Sequence, residues 1–176
     1  MIKKLAGKAG MSLMEMIASL LILVLLVVGM NTGLSAGLRV YETSKVTTER
    51  SMLASSINTK LTDILRYAEV RTVDGKQLLT NLEYGLWDVT FEEEEGKIQI
   101  CFHDKTGKPL KKTTPLINSS SYDDSKGVPI FKVTNFDIQY IKDANGGYFD
   151  IRYKLLNTGD NSSSDFIQAA VRVMNE

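Results

Sequence analysis

The chain has 176 residues, 43% of them hydrophobic, and its 21 basic groups are balanced by 21 acidic ones. That length holds one modest domain plus an accessory segment, and so even a charge gives no reason to expect nucleic acid as a partner. A single cysteine, Cys101, excludes an internal disulfide, so the fold has to be held by packing.

The charge is unevenly laid out. The first ten residues, "MIKKLAGKAG", carry Lys3, Lys4 and Lys8 and no acid, and residues 16–38 contain no charged side chain at all. As a helix, the second stretch rises roughly 34 Å, enough for a hydrocarbon core of about 30 Å, which predicts one membrane span. The lysines before it predict an N-terminus held in the cytoplasm and a polar remainder sent outside. Glu15 stands at the mouth of the apolar run. A carboxylate near a bilayer core costs about 2.5 to 3.5 kcal/mol at a helix centre, so its presence there calls for a partner.

The helical pattern continues past the span. Val46, Leu53, Ile57, Leu61, Ile64, Leu65 and Ala68 recur at helical spacings, no proline occurs between Met11 and Val70, and Asp74-Gly75 is the first strong stop. The expectation is one helix from about Ser12 to about Val70, roughly 88 Å long, apolar all round in its first half and on one side in its second. From Leu78 the period becomes two. Trp87, Val89 and Phe91 alternate, then Ile98, Ile100 and Phe102, with a turn at Glu93 to Gly96. Phe136, Ile138 and Tyr140 form a third row, Phe149, Ile151, Tyr153 and Leu155 a fourth, and Ile167, Ala169, Val171 and Val173 a last one. These rows predict a four- to five-stranded antiparallel sheet, covered on one face by the second half of the helix, with residues 104–129 as a long surface loop. The fold class is α+β.

The N-terminal residues carry the most specific signal. A basic leader ends in Gly10, an apolar Met11 follows, Glu15 is the fifth residue after that glycine, and Ser12, Leu13 and "IASLLIL" complete the pattern. This resembles the type III signal of type IV pilins and of the pseudopilins of type II secretion and competence systems. The resemblance implies that a membrane-embedded prepilin peptidase cuts between Gly10 and Met11 and that the new Met11 amine is N-methylated. It also implies a long stem helix, half protruding and half packed on an antiparallel sheet. Three regions follow: a leader at 1–10, a transmembrane and assembly segment at 11–38, and an extracytoplasmic globular domain at 39–176. Removing the leader would leave 18 basic against 21 acidic groups, a formal charge of −3. Cleavage would also supply the partner that Glu15 needs, because a positive amine then appears at the same depth. As in the family, Glu15 would pair with the Met11 amine of an adjacent subunit and set the stagger between stems. The alternative is a carboxylate snorkelling from an ordinary anchor helix. Met11 stands where phenylalanine is commoner, and the cysteine pair that closes a C-terminal loop in many such proteins is missing.

Gly29, Gly33 and Gly37 recur every fourth residue, which suits either close helix contact or local melting of the stem. Among weaker signals, Cys101 reads as a small buried hydrophobe, His103 as a surface residue and Trp87 as core between stem and sheet. Asp143, Asn145 and Asp150, or Asp160, Asn161 and Asp165, offer oxygens for calcium but read better as turn residues. No metal or other cofactor is implied, and no nucleophile, metal cluster or carboxylate pair suggests an enzyme.

The functional expectation is a structural subunit of a type IV pilus or a secretion or competence pseudopilus. Its partners would be a prepilin peptidase, other pilin or pseudopilin subunits and the assembly platform of the cytoplasmic membrane. Its location would be that membrane and then a filament at the cell surface or across the periplasm. The irregular loop and "EMIASLLIL" point to a minor rather than a major subunit. The competing expectation is a membrane-anchored extracellular binding module with an uncleaved signal anchor. A third, a secreted protein cut near Ser35, fits less well because Glu15 sits where a signal's apolar region should begin.

Overall fold

A computed structural model describes residues 13–118, 122–123, 130–143 and 146–174. The chain divides into two compact units, Met1–Thr47 and Thr48–Glu176. One helix, α1, runs Leu13–Arg66, and in its second part Leu53, Ile57, Leu61, Ile64 and Leu65 are buried at the expected spacing. Ala68, just past the helix, is buried as well, while Val46 is half-buried. The helix stops a turn before Val70. The amide of Ala68 turns back to Leu65 O at 3.2 Å, and the amide of Met174 donates to Arg66 O at 2.8 Å, so two carbonyls left over at the helix end are satisfied.

The strands form two antiparallel sheets rather than one. The first, in order along the sheet, holds β1 (Glu69–Val73), β2 (Lys76–Asn81), β3 (Leu86–Glu94), β4 (Lys97–His103) and β5 (Pro109–Pro115); the second holds β6 (Phe131–Asp143), β7 (Gly146–Asn157) and β8 (Ile167–Arg172). The larger sheet departs from expectation at its edges. β1 has no buried residue and β5 is exposed along its whole length, so neither shows the alternation that marks a half-buried strand. β5 lies inside the stretch expected to be loop. Its terminal prolines and paired lysines suit an edge strand that must not recruit another chain. His103 pairs with Pro109 of β5 and is 5% exposed, not a surface residue.

Two bulges decide which side chains face inward. Asn81 pairs with Leu86 and Leu79 with Val89, so three steps on β3 match two on β2. Asp88 absorbs the extra residue at φ 48°, held by Arg71 Nη2 at 2.8 Å from its Oδ1 and by donating its own amide to Thr80 Oγ1. The alternation therefore slips by one: Leu86 is buried, and Trp87, expected in the core, is 62% exposed. On β6 the same device works at Asn135, φ 55°, where Thr134 pairs with Lys154 and Asp137 with Arg152. It puts buried Phe131 and Val133 in one row with half-buried Phe136, Ile138 and Tyr140. The β7 row, Phe149, Ile151, Tyr153 and Leu155, is fully buried as expected.

Two hairpins turn on a residue of positive φ followed by glycine: Asp74-Gly75 between β1 and β2, and Glu95-Gly96 between β3 and β4. Only the second is pressed from outside. The carbonyl of Gly96 accepts from Val133 N at 2.7 Å, and a Cβ built on Gly96 would lie 2.8 Å from Lys132 Cβ, whereas one on Gly75 meets nothing within 4 Å. Gly75→Ala should therefore cost about 1 kcal/mol, the backbone penalty alone, and Gly96→Ala about 2 to 3 kcal/mol. Denaturant midpoints of the two variants, followed by far-ultraviolet circular dichroism, measure the difference; equal losses would mean that β6 does not press on the turn.

The helix is tied to both sheets by polar contacts. Tyr153 Oη of β7 lies 2.9 Å from Asn58 Oδ1 and 3.2 Å from Ala54 O, one proton shared between two acceptors. Asn81 Nδ2 of β2 donates to Ile64 O at 2.6 Å. Burial holds the Tyr122 hydroxyl protonated up to about 12 and pushes Tyr153 up as well. A tyrosine in the unfolded chain ionises near pH 10. The stability these groups contribute is thus complete below about pH 10 and is lost as pH rises through about 12. Thermal unfolding between pH 9 and 12 should show this fall, and Tyr122→Phe should make it shallower; an unchanged slope would place the alkaline sensitivity elsewhere.

Candidate functional site

In the first part of α1, residues 13–38, every side chain is exposed. Every large apolar side chain from Leu13 to Leu38 is at least 47% exposed, and the segment is long and apolar enough to cross a membrane. Its three hydroxyl side chains make it more so. Ser19 donates to Glu15 O at 2.7 Å, Thr32 to Val28 O at 2.9 Å and Ser35 to Asn31 O at 2.8 Å, each one turn back. A hydroxyl proton spent on its own helix needs no water, which is what a hydrocarbon environment demands.

Glu15 is exposed in the first turn of α1, where the positive end of the helix dipole favours a carboxylate. Gly29, Gly33 and Gly37 lie in unbroken helix, and a Cβ at any of them would meet nothing within 4 Å. They therefore give one side of the helix a strip where another backbone can approach closely. Gly10 and Met11 lie outside the described residues. Of the expected site, the structure places Glu15 and the glycines on one apolar helix.

The other candidates resolve into structure. Cys101 is buried, and burial, followed by the charges of Glu92 and Glu94, pushes its thiol up, away from the thiolate a nucleophile needs. His103 is buried on the same strand, with no partner at Nδ1. The Asp160 carboxylate accepts from Ser162 N at 2.9 Å in a turn, and hydrogen bonding by Ser162 holds it below its ordinary range. Asp150 is engaged by Arg152 at 2.7 Å and by Gln168 at 3.0 Å within the smaller sheet. Asn145 lies outside the described residues. Among the described residues, no group of three or more His, Cys, Asp or Glu side chains is placed to hold a metal ion.

One feature has no counterpart in the sequence motifs. A cleft of about 490 Å³ lies between the sheets, lined by residues of β2, β3, β6 and β7. Gln77 closes one end of it by reaching Tyr140, a contact over 63 positions of sequence that no local pattern announces. Comparison of the chain with protein-family models, with curated proteins and with solved structures gives no match.

Proposed function

We propose that the chain is a structural subunit of a type IV pilus or of a secretion or competence pseudopilus, cut after Gly10 and assembled through α1. The observation that carries this reading is the first part of α1: an exposed apolar helix with a single carboxylate, Glu15, at its start. An anchor needs the apolar residues and draws from the charge only a favourable interaction with its own helix end. A filament subunit draws more from it, because cleavage gives each neighbouring stem a positive amine that the carboxylate can pair with. The strip at Gly29, Gly33 and Gly37 supports the same reading, since stems bundled side by side pack through small residues. The subunit has no reaction of its own in this reading; a prepilin peptidase acts on it, and other subunits and a membrane assembly platform receive it.

Processing is tested first. Protein recovered from its native host should begin at Met11 with a methylated amine, read by N-terminal sequencing or intact mass. A chain beginning at Met1, or near Ala36, overturns the proposal.

Assembly is tested by Glu15→Gln, which keeps the shape and eases membrane insertion while removing the charge. Cleavage should persist and incorporation into sheared filaments, or crosslinking to partner subunits, should fall at least about tenfold, the factor that corresponds to losing one buried charge pair of modest strength. Unchanged incorporation refutes the pairing of Glu15, and absence of both forms from any assembly favours a membrane-anchored binding module.

A further inference from the structure

β6 is an edge strand whose outer side is fastened at intervals, and the fastenings leave a gap. Tyr140 turns both backbone groups away from β7: its amide donates to Gln77 Oε1 at 3.0 Å and its carbonyl accepts from Gln77 Nε2 at 3.3 Å. Phe136, four positions earlier and in the same orientation after the bulge, donates its amide to Glu93 Oε2 at 3.4 Å. Val133, before the bulge, donates to Gly96 O. Ile138 lies between Phe136 and Tyr140 in the same alternation, so its N–H and C=O also point outward. Among the described residues, no strand pairs with them.

The opposite wall has a matching gap. Glu94 and Lys97 flank a two-residue turn, so Glu94 and Glu92 direct their backbone groups to β4, and Phe91 directs its own to the other side. The pairing of β2 with β3 runs only from Asn81 to Leu79. Beyond that, Gln77, which register would place opposite Phe91, swings its amide to Tyr140 instead. The cleft of about 490 Å³ is lined by Phe91 and Ile138 together with buried Leu79 and Phe149; along β6 the Gln77 contact at Tyr140 marks one side of Ile138 and the Glu93 contact at Phe136 the other.

We propose that this cleft is an acceptor site for an extended, basic polypeptide segment, which adds to the outer edge of β6 as a strand and displaces the side chain of Gln77. The chemistry comes from the edge. The Gln77 amide presents one donor and one acceptor side by side, as a strand residue does, and a ligand that replaces it while also meeting Ile138 must repeat that pair at alternate positions; an extended peptide backbone does so. The charge comes from the hairpin. Glu92 lines the cleft, Glu93 reaches β6 at Phe136, and Glu94 and Glu95 follow at the tip of the same hairpin, all four exposed, so basic side chains of the segment belong toward that hairpin. The inference does not depend on the filament reading, since it concerns residues 75–149 only.

The test uses the full chain in detergent micelles and a blocked synthetic peptide, Lys-Val-Lys-Val-Lys, with a counterpart methylated on alternate backbone nitrogens as control. The unmodified peptide should bind, slow hydrogen exchange at the Phe91 and Ile138 amides, and lose both effects in the methylated form. Gln77→Ala should tighten binding about fivefold, because two modest hydrogen bonds no longer have to be broken. Ile138→Pro should abolish binding while preserving the fold, since the amide it removes does not serve the ladder to β7. Absence of binding, equal binding of the methylated peptide, or weaker binding to Gln77→Ala overturns the proposal. Self-association of the chain that Ile138→Pro abolishes, without peptide binding, overturns the choice of a basic partner in favour of a second copy.

Discussion

The globular unit depends on the burial of one helical stripe, Leu53, Ile57, Leu61, Ile64 and Leu65. A sheet with one apolar face has to bury that face against another element. Both are tied to the same helix, the smaller through Tyr153 at the level of Ala54 and Asn58 and the larger through Asn81 at Ile64. Each contact keeps a buried polar group satisfied while apolar side chains pack around it, so the helix fixes where each sheet can lie.

Side-chain amides finish what the backbone leaves undone in several places. Asn81 donates to the helix and accepts from the amides of Glu83 and Tyr84, bracing the turn into β3 with its side chain. Gln77 stands in for a strand at Tyr140. Such substitutes satisfy backbone groups that no strand reaches, yet they are single residues that can rotate away, unlike a paired strand. The fold therefore combines a core fixed by its helix with an edge closed by detachable groups.

The elements that bury a face were legible in the sequence, and those that do not were not. The stripe on α1 and the row from Phe149 to Leu155 show their spacing because water is excluded from one side only. β1 and β5 lie at sheet edges, exposed, and carry no such contrast. Alternation also failed where a bulge intervened: nothing local distinguishes "GLWDV" with an extra residue from an unbroken strand, and the positive φ of Asp88 reversed the expectation for Trp87. The division into two sheets and the cleft between them rest on contacts such as Gln77 with Tyr140, which a linear reading does not contain. For the apolar helix, by contrast, composition and order were enough to mark a helix long and apolar enough to cross a membrane, because its pattern needs no long-range contact to be read.

The outward turn at Asp88 places the protein's single tryptophan on the surface of β3. An indole there emits from a hydrated environment whether the chain is folded or not. Intrinsic fluorescence is consequently a poor gauge of unfolding in this protein and a good gauge of company: the wavelength of Trp87 emission shifts to the blue only when another surface covers β3.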